Sequence, residues 1–355
     1  MMARAHVNGK WLSQPLTGTQ RYASEITRAI AAVGDIHLVL HVPRGAAAPH
    51  WADTQRIEVR HAPLRGVLFE QIYLPLATFG RVLLNFAGPA PLLKRRQLVT
   101  MHDATPFRYP RTFRRSFVAF YFVMYYLLAR TARQLVTVSL FSAGELAEVL
   151  HVPAERFLVA GCAADGLTGV EPVQPKLTMG SDPYLVVGTL AKHKNLTGPV
   201  AAITASGRPV VVVGAAGSEH VFSLTSSLGE SATVAGRLTD AELVWLYRHS
   251  RALVFPSHYE GFGLPVVEAQ SLGCPVVSSD AASLPEVGGE AALYFDPDDT
   301  GQLLVQLEKL ERDDDLVADL RHRGAVNAQR FTWQRSAVQV VQWLKCESGS
   351  KRSSR

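Results

Sequence analysis

The chain has 355 residues, of which 47% are hydrophobic and 19% are charged. At roughly 150 residues per domain this length predicts two domains, and the composition excludes both a single small module and a largely disordered chain. Three scattered cysteines support neither a disulfide framework nor a thiolate zinc site, so we expect a reducing, cytoplasmic environment. The N-terminus lacks a signal-peptide pattern and no run reaches the roughly 18 to 20 apolar residues of a membrane span, so an integral membrane protein is not expected.

The net charge of +5 is distributed unevenly along the chain. Residues 94–133 carry nine lysines and arginines against one aspartate, a net charge of +8, and the rest of the chain carries −3. Such a basic region favours a polyanionic partner, either lipid headgroups or a diphosphate substrate.

Short apolar runs rich in β-branched residues predict buried strands in both halves of the chain. In the first half they lie at 37–42, 81–86, 97–102 and 134–139. In the second half they lie at 184–188, 209–214, 232–236, 252–257 and 274–279, with helical patterns such as 239–249 and 264–272 between them. Buried strands alternating with helices predict an α/β protein with two doubly wound parallel sheets, and a ligand cleft between the carboxyl ends of both sheets.

A segment rich in glycine and proline, with little periodicity, separates the two halves. We therefore predict an N-terminal, acceptor-side domain over 1–165, a linker over 166–182 and a donor-binding domain over 183–330. Apolar residues at helical spacing predict a terminal helix over 331–346. The polar tail at 347–355 is expected to be disordered.

The most informative stretch runs from the predicted strand at 252–257 into a loop with two glycines. Pro265 follows where a helix would begin, and its fixed φ suits that position. A helix N-terminus after a glycine loop presents unpaired backbone N–H groups and a positive dipole end, which suits a diphosphate. Glu260 precedes this helix and Glu268 lies one turn inside it. One carboxylate could accept hydrogen bonds from the hydroxyls of a ribose, and the other would lie nearer the group attached to the diphosphate. The alternative is that Glu260 is an ordinary loop residue and that Glu268 only stabilises the N-terminal end of the helix through its negative charge.

Residues 256–297 resemble the signature of the family 4 retaining glycosyltransferases (glycosyl transferases group 1), with a Glu-x7-Glu pattern at Glu260 and Glu268. Further matching segments lie at 16–26, 100–110, 137–146, 186–196 and 236–250. The resemblance implies the GT-B fold, in which two Rossmann-like doubly wound domains face a central cleft and a C-terminal helix follows the second domain. The fold class agrees with the strand pattern.

The resemblance also implies roles for residues of the second domain. Glu268 looks like the acid that binds the donor's ribose, and Glu260 like the acid near the donor sugar. Lys194 looks like the lysine that neutralises the leaving diphosphate, a role for which a fixed cation is chemically suited; without the resemblance it is a solvated surface lysine. The sugar and the distal phosphate would be held by the backbone of three consecutive residues, Phe262, Gly263 and Leu264.

The chain departs from the family pattern at one place in the donor site. Thr189 stands where many relatives have an arginine, and Lys192 or Arg237 would have to supply the second cation. This departure leaves open a scaffold protein that binds a sugar nucleotide, or sits at a membrane, without turnover.

In the first domain the resemblance points to the ends of a helix and a strand. Gly18 opens a loop before an amphipathic helix and resembles the family's glycine loop near the donor phosphates; a plain helix cap is the alternative. His102 resembles the histidine at the reaction centre, and Asp103 would orient it or bind the acceptor. A histidine at a strand end is otherwise a structural residue.

The family reading implies that the donor's anomeric configuration is retained, with the leaving phosphate taking the acceptor proton and with no metal, cofactor or protein nucleophile. A metal-dependent transferase is the alternative enzyme class, since Asp296 and Asp298 form an Asp-x-Asp triplet. A turn before a helix that starts near Asp299 explains this triplet better. The acidic residues 313–315 likewise fit a helix cap. A nicotinamide dehydrogenase is disfavoured because residues 214–217 only approximate its glycine pattern.

The basic region leads into thirteen uncharged residues at 117–129, rich in aromatics. Residues 108–130 therefore suit attachment to an anionic membrane surface, and a buried core helix with a solvated basic start is the alternative. No nucleic-acid reader motif accompanies the charge. The sequence thus predicts a cytoplasmic, peripheral glycosyltransferase that moves a sugar, with GDP-mannose favoured over UDP- or dTDP-sugars, to a glycan or polyprenyl-linked acceptor of a surface polysaccharide.

Overall fold

The computed structural model describes residues 3–15, 17–55, 57–214 and 232–349. The chain divides into two compact units. Unit 1 comprises Met1–Cys162 and Trp333–Arg355, and unit 2 comprises Ala163–Thr332.

Unit 1 is built on a seven-stranded parallel sheet with the order β3-β2-β1-β4-β5-β6-β7. Its strands are β1 Ala3–Asn8, β2 Ile36–Val42, β3 Glu58–His61, β4 Val82–Asn85, β5 Gln97–Thr100, β6 Gln134–Thr137 and β7 Phe157–Val159. The central strands are buried on both faces, as parallel strands between helical layers are. The sequence predicted β2, β4, β5 and β6. It missed β1, which mixes arginine, histidine and asparagine with its apolar residues, and the short outer strands β3 and β7.

The helices of unit 1 connect these strands. They are α1 Gly18–Val33, α2 Trp51–Thr54, α3 Gly66–Leu68, α4 Leu74–Ala77, α5 Thr105–Arg108, α6 Arg115–Thr131 and α7 Leu140–Leu150. A π-helical turn at Phe69–Tyr73 joins α3 to α4, so residues 66–77 form one continuous helical segment.

Unit 2 contains a six-stranded parallel sheet with the order β10-β9-β8-β11-β12-β13. Its strands are β8 Tyr184–Val187, β9 Val210–Val213, β10 Ala232–Gly236, β11 Ala252–Phe255, β12 Val276–Ser279 and β13 Leu293–Phe295. Its helices within the described residues are α8 Thr197–Ala205, α9 Asp240–His249, α10 Leu264–Ser271, α11 Leu284–Gly288, α12 Thr300–Arg312 and α13 Asp314–Ala328. All predicted strands of this half are present.

Counted from its own first strand, each sheet begins with the order 3-2-1-4-5-6 of a doubly wound Rossmann fold. The order reverses between strands 1 and 4, which are β1 and β4 in unit 1 and β8 and β11 in unit 2. Ligands of such sheets bind beyond the carboxyl ends of the strands at this reversal. The topology therefore selects the loops after β8 and β11 as the first place to look for a site.

The chain is divided differently from the sequence-based boundaries of 1–165, 166–182 and 183–330. Residues 163–165, expected to end the N-terminal domain, and residues 166–182, expected to be a linker, belong to unit 2. The expected linker is bonded to this unit through its backbone, since Val173 N donates to Ala241 O at 3.1 Å. The terminal helix, expected at 331–346, is α14 Trp333–Gly349 and belongs to unit 1. Residues 347–349, expected to be disordered, continue this helix, and 350–355 lie outside the described residues.

Tyr22 explains why the terminal helix packs on unit 1. This buried residue of α1 donates its hydroxyl proton to Ala160 O at 2.9 Å, and its ring meets Trp333 of α14 edge-on at 5.5 Å. Ser336 of α14 bonds Gly161 O at 2.8 Å. The end of β7, helix α1 and helix α14 therefore share one junction.

Two buried histidines lie side by side in the sheet of unit 1. His6 of β1 and His41 of β2 are joined through their ring nitrogens at 2.8 Å, and His41 also contacts the Tyr73 hydroxyl at 3.1 Å. Burial, and for His6 the neighbouring His41, lowers the pKa of His6 to about 3 and the pKa of His41 to about 4. Folding therefore favours the neutral form of both rings.

Because both folded pKa values lie below the ordinary value of 6.5, the stabilisation from these rings is complete above pH 6.5 and is lost as the pH falls towards 4. We expect the free energy of unfolding to fall across this range, with a slope of at most about 1.4 kcal/mol per pH unit from each ring, as measured by denaturant unfolding at each pH. The variant His41→Gln should show a smaller slope than the wild type, whereas His50→Gln, at an exposed residue, should keep the wild-type slope. Equal slopes in all three proteins would contradict this assignment.

Candidate functional site

The loop between β11 and α10 is shaped by Gly263. Its φ of 95° lies in the left-handed region, and a Cβ at this position would come within 2.5 Å of Leu284 Cδ2. Helix α10 begins at Leu264, with Pro265 as its second residue. The predicted strand, glycine loop and helix start are confirmed at this place.

The first turn of α10 presents free backbone donors. The amides of Gly263 and Leu264 find no acceptor among the residues that the structure describes. Phe262, the third residue expected to hold a donor, is buried with its ring edge-on to Phe331 at 5.4 Å. Such a turn complements a negatively charged group.

Glu260 and Lys194 form the electrostatic centre of this edge. Lys194 Nζ donates to Oε1 of Glu260 at 2.7 Å and to Oε2 at 2.8 Å, and Ser257 Oγ donates to Oε1 at 2.7 Å. Glu260 is 9% exposed. The two residues follow β8 and β11, the strands at which the sheet order reverses, so the pair stands where a ligand is expected.

Two side chains that were not predicted from the sequence hold the loops around this pair. Ser283, fully buried, directs its single hydroxyl proton at the carbonyl oxygens of Glu260 (2.9 Å) and Phe262 (3.0 Å). Asn195 has a left-handed φ of 51°, and its amide donates to Pro256 O at 3.2 Å and Pro297 O at 2.7 Å. The turn that carries Lys194 is thereby fixed to the ends of two strands.

Glu268 lies in a different environment from Glu260. It is 4% exposed, and the hydroxyl of the fully buried Tyr247 donates to its Oε2 at 3.0 Å. Tyr247 belongs to α9, which begins with a capping box between Thr239 and Glu242. Tyr247 was not predicted from the sequence, although the Thr-x-x-Glu spacing is a local signal for the start of its helix.

The sequence predicted that Lys192 or Arg237 supplies the second cation in place of an arginine at Thr189, and this stays a prediction. Thr189 and Lys192 are exposed, and so is Arg237, which follows Gly236 at the end of β10. Within the described ranges neither Lys192 nor Arg237 forms an ion pair. Lys194 is therefore the cation that the fold brings to Glu260.

His102 follows β5 at the carboxyl edge of the first sheet. Its Nε2 lies 2.9 Å from the carbonyl oxygen of Phe86, and its ring meets Tyr22 edge-on at 4.9 Å. Because a carbonyl only accepts, Nε2 carries the proton and Nδ1 of the neutral ring is an acceptor. Burial lowers the pKa of His102, which keeps the ring neutral near pH 7.

The neighbouring candidates have local structural partners. Asp103 accepts a hydrogen bond from Thr105 N at 2.8 Å and so stabilises the start of α5. Gly18 was expected to open a loop, but it is the first residue of α1, because Thr17 has the extended backbone of an N-cap. The Gly-Thr-Gln-Arg-Tyr segment is therefore helical.

The acidic triplets serve turns and helix starts. Asp298 N donates to Asp296 Oδ1 at 2.9 Å, and Asp299 caps α12 by accepting from Gln302 N at 3.0 Å. Asp313 caps α13 through Leu316 N at 2.8 Å. Among residues 3–15, 17–55, 57–214 and 232–349, no three His, Cys, Asp or Glu side chains are grouped so as to hold a metal ion.

Helix α6 combines the two alternatives set out for residues 108–130. One face is buried, including Met124 and Leu128, and the other leaves Phe120 51% and Val123 55% exposed. Arg108, expected to contribute free positive charge, is bonded instead to Glu145 and Glu148, both at 2.7 Å, and these carboxylates raise its pKa. No helix in the described part of the chain is long and apolar enough to cross a membrane.

Comparisons with known proteins agree with this architecture. Residues 172–330 match the family model of the glycosyl transferases group 1. The O-antigen chain mannosyltransferase B of Escherichia coli is 28% identical over 74% of this chain and 72% of its own length. Sucrose-phosphate synthase from Thermosynechococcus elongatus superposes with a TM-score of 0.76 at 18% identity, covering 98% of this chain and 100% of its own.

A second solved structure, Anabaena Alr3699/HepE in complex with UDP-glucose, superposes with a TM-score of 0.69 at 15% identity, covering 97% of this chain and 99% of its own. At these identities the structural matches define the fold, which is GT-B. The match of residues 172–330 and these GT-B neighbours support a glycosyltransferase of the family 4 type.

Proposed function

We propose that this glycosyltransferase moves mannose from GDP-mannose to a lipid-linked or polysaccharide acceptor during cell-surface glycan synthesis. The observation that carries the proposal is the pairing of Lys194 with Glu260 at the strand reversal of unit 2, with Glu268 buried one turn into α10. The name of the Escherichia coli relative supports mannose and an O-antigen chain. The structural relative with bound UDP-glucose supports a nucleotide-sugar donor.

The donor's phosphates meet Lys194 and the first turn of α10. The ammonium group of Lys194 has three N–H donors, and two of them bond to Glu260, so one remains for a phosphate oxygen. The leaving nucleoside diphosphate gains negative charge as its bond to the sugar breaks, and a fixed cation stabilises that charge most in the transition state. The amides of Gly263 and Leu264 add neutral donors to the same group.

The two carboxylates have separate tasks. Glu268 accepts hydrogen bonds from the ribose hydroxyls, with Tyr247 holding its orientation. Glu260 binds a hydroxyl of the donor sugar, since its oxygens keep lone pairs beyond those used by Lys194 and Ser257. His102 accepts a hydrogen bond from a substrate hydroxyl through Nδ1, and Asp103 completes the turn that carries it.

The reaction proceeds with retention and without a metal or any other cofactor. The bond between the anomeric carbon and the phosphate oxygen breaks while the acceptor oxygen bonds to the same face of that carbon. The acceptor's hydroxyl proton passes to the departing phosphate oxygen. Lys194 supplies the positive charge that a metal ion supplies in other transferases.

Two alternatives have specific support. The bound UDP-glucose of the structural relative favours a UDP-sugar, with a dTDP-sugar as its close analogue. A sugar-nucleotide-binding scaffold that no longer turns over is favoured by Thr189 and by Arg237, whose exposed side chain has no ion-pair partner among the described residues. A scaffold binds donor without transfer or hydrolysis, so turnover separates it from an enzyme.

The enzyme works in the cytoplasm as a peripheral protein on the inner face of the cell membrane. The exposed aromatic face of α6 supports this placement, because Phe120 and Val123 are apolar side chains left in water. Arg111, Arg114 and Arg115 beside them are exposed and suit anionic headgroups.

Three substitutions separate donor binding from turnover. Glu268→Ala should weaken GDP-mannose binding by about tenfold or more, because charge-assisted bonds to the ribose are lost. Glu260→Ala and His102→Ala should lower kcat by about a hundredfold while the donor dissociation constant changes by less than about threefold. Calorimetry gives the binding constants, and release of GDP gives the rates.

The matched controls are Glu308→Ala and His50→Ala, which remove a surface carboxylate and an exposed imidazole. Both should behave as the wild type. Wild-type turnover in Glu260→Ala or His102→Ala would remove that residue from the reaction centre, and unchanged donor binding in Glu268→Ala would remove the ribose assignment.

Retention and metal independence are checked together on the product. The transfer rate should be the same with and without excess chelator. Proton NMR should show that the product has the anomeric configuration of the donor. Loss of activity that added Mg²⁺ restores, or an inverted product, would contradict the mechanism.

Membrane attachment through α6 is checked with vesicles. The wild type should co-sediment with vesicles containing phosphatidylglycerol and not with pure phosphatidylcholine, and Phe120→Ser with Val123→Ser should weaken that binding by about tenfold because two apolar contacts are lost. The control pair Val305→Ser and Val326→Ser is equally exposed but lies in unit 2. Equal binding of both double variants would show that α6 does not contact lipid.

A further inference from the structure

A second apolar surface of unit 1 lies on the helical segment 66–77 and the turn after it. Four residues spaced by four, four and three positions share one face, which we name the apolar stripe. They are Leu68, Ile72, Leu76 and Phe79, and they are 53%, 48%, 72% and 85% exposed. At this spacing the side chains adjoin along the helix.

The stripe is not the core-facing side of this segment. The opposite side carries Phe69 and Leu74, which are fully buried and pack with Ala62 and Leu83 against the sheet. The helix therefore has an apolar face for its own core and a second apolar face left in water. Exposed apolar surface of this extent marks a contact site.

One end of the stripe opens into a cavity of about 380 Å³. It is lined by Arg44, Gly45, Pro63, Leu64, Arg65 and Leu68. The lining loops follow β2 and β3 at the carboxyl edge of the sheet and are bonded to each other, since Arg44 N donates to Leu64 O at 2.9 Å and Ala62 N to Val42 O at 2.8 Å. The cavity therefore has a fixed backbone frame.

The two arginines of the cavity are uncompensated. Arg44 and Arg65 are both exposed, and neither guanidinium has a carboxylate or other polar partner among the described residues. No acidic side chain lines the cavity. Two guanidinium groups at one cavity form a site for a phosphate, which each can bind through a pair of N–H donors.

We propose that this cavity binds the phosphate of the lipid-linked acceptor, with the acceptor's hydrocarbon chain lying along the apolar stripe. Leu68 belongs to both features, so the charged end of the site passes directly into its apolar part. A free phosphate would make no contact with the apolar stripe. A water-soluble glycan without a phosphate would match neither the apolar stripe nor the two arginines. The occupant that matches both is a phosphate carried on a hydrocarbon chain.

This inference rests on the proposed function, because a transferase with a lipid-linked acceptor needs such a subsite. It adds the chemical class of the acceptor's anchor and the residues that bind it. It also separates this anchor site from α6, where Phe120 and Val123 contact the bulk membrane.

The test uses the full chain with dodecyl phosphate below its micelle concentration, compared with inorganic phosphate. The wild type should bind dodecyl phosphate at least about tenfold more tightly than inorganic phosphate. Arg44→Ala with Arg65→Ala should weaken dodecyl phosphate binding by about tenfold or more, and Ile72→Ser with Leu76→Ser by about fivefold. The matched controls are Arg111→Ala with Arg114→Ala and Phe120→Ser with Val123→Ser, both of which should keep wild-type affinity.

Three results of this binding assay would overturn the proposal: wild-type affinity in the Arg44, Arg65 double variant, an equal loss in the Arg111, Arg114 control, or equal affinity for dodecyl and inorganic phosphate. A separate assay uses phosphatidylglycerol vesicles, to which the Arg44, Arg65 variant should bind as the wild type does. An equal loss there would assign the arginines to bulk headgroups and would also overturn it.

The substituted side chains are exposed, so all variants should keep the wild-type thermal midpoint. GDP binding, measured on the same samples, separates the two proposals. Dodecyl phosphate binding without GDP binding would retain this site and reject the proposed donor. GDP-mannose turnover, together with wild-type dodecyl phosphate binding in the Arg44, Arg65 and Ile72, Leu76 double variants, would retain the donor and reject this site.

Discussion

The ion pair between Lys194 and Glu260 is the constraint on which the proposed donor site depends. Removing two opposite charges largely from water is costly, and the cost is offset only because both carboxylate oxygens are bonded and Ser257 satisfies one of them again. Ser283 and Asn195 then hold the loops that carry the pair. The result is a cation whose orientation is fixed by the fold, and a preoriented cation is what the proposed electrostatic role of Lys194 towards a diphosphate requires.

The topology explains why these residues meet. The sheet of unit 2 reverses its strand order between β8 and β11, and the loops after these two strands supply Lys194 and Glu260. Gly263 lets the chain turn sharply enough to begin α10 against Leu284, and Glu268 then enters the helix beside Tyr247. In unit 1 the same kind of edge carries His102, whose tautomer is fixed by the carbonyl of Phe86.

The sequence predicted the class of fold, because buried parallel strands leave continuous apolar runs. Through the family pattern it also predicted donor-site roles for Glu260, Glu268 and Lys194; the structure pairs Lys194 with Glu260, and the roles themselves stay predictions. It did not predict Ser283 or Tyr247, since a hydrogen bond between residues 21 to 23 positions apart leaves no periodic signal. The apolar stripe was missed for another reason: an apolar residue at helical spacing has the same sequence signature whether it faces a core or water. The terminal helix was placed correctly in the chain, but its packing on α1 depends on Tyr22 and Trp333, far apart in sequence.

The central claim is that unit 2 binds a nucleoside diphosphate sugar, and that the nucleoside is guanosine. Calorimetric titration of the wild type with GDP, UDP, ADP and dTDP, each in the presence of chelator, tests it most directly. The account predicts one site with micromolar affinity for GDP, and much weaker binding of the other three. Tighter binding of UDP or dTDP would reject the mannose donor and keep the donor site. Binding of none of the four would contradict the central claim, because the Lys194–Glu260 pair would then not form part of a diphosphate site.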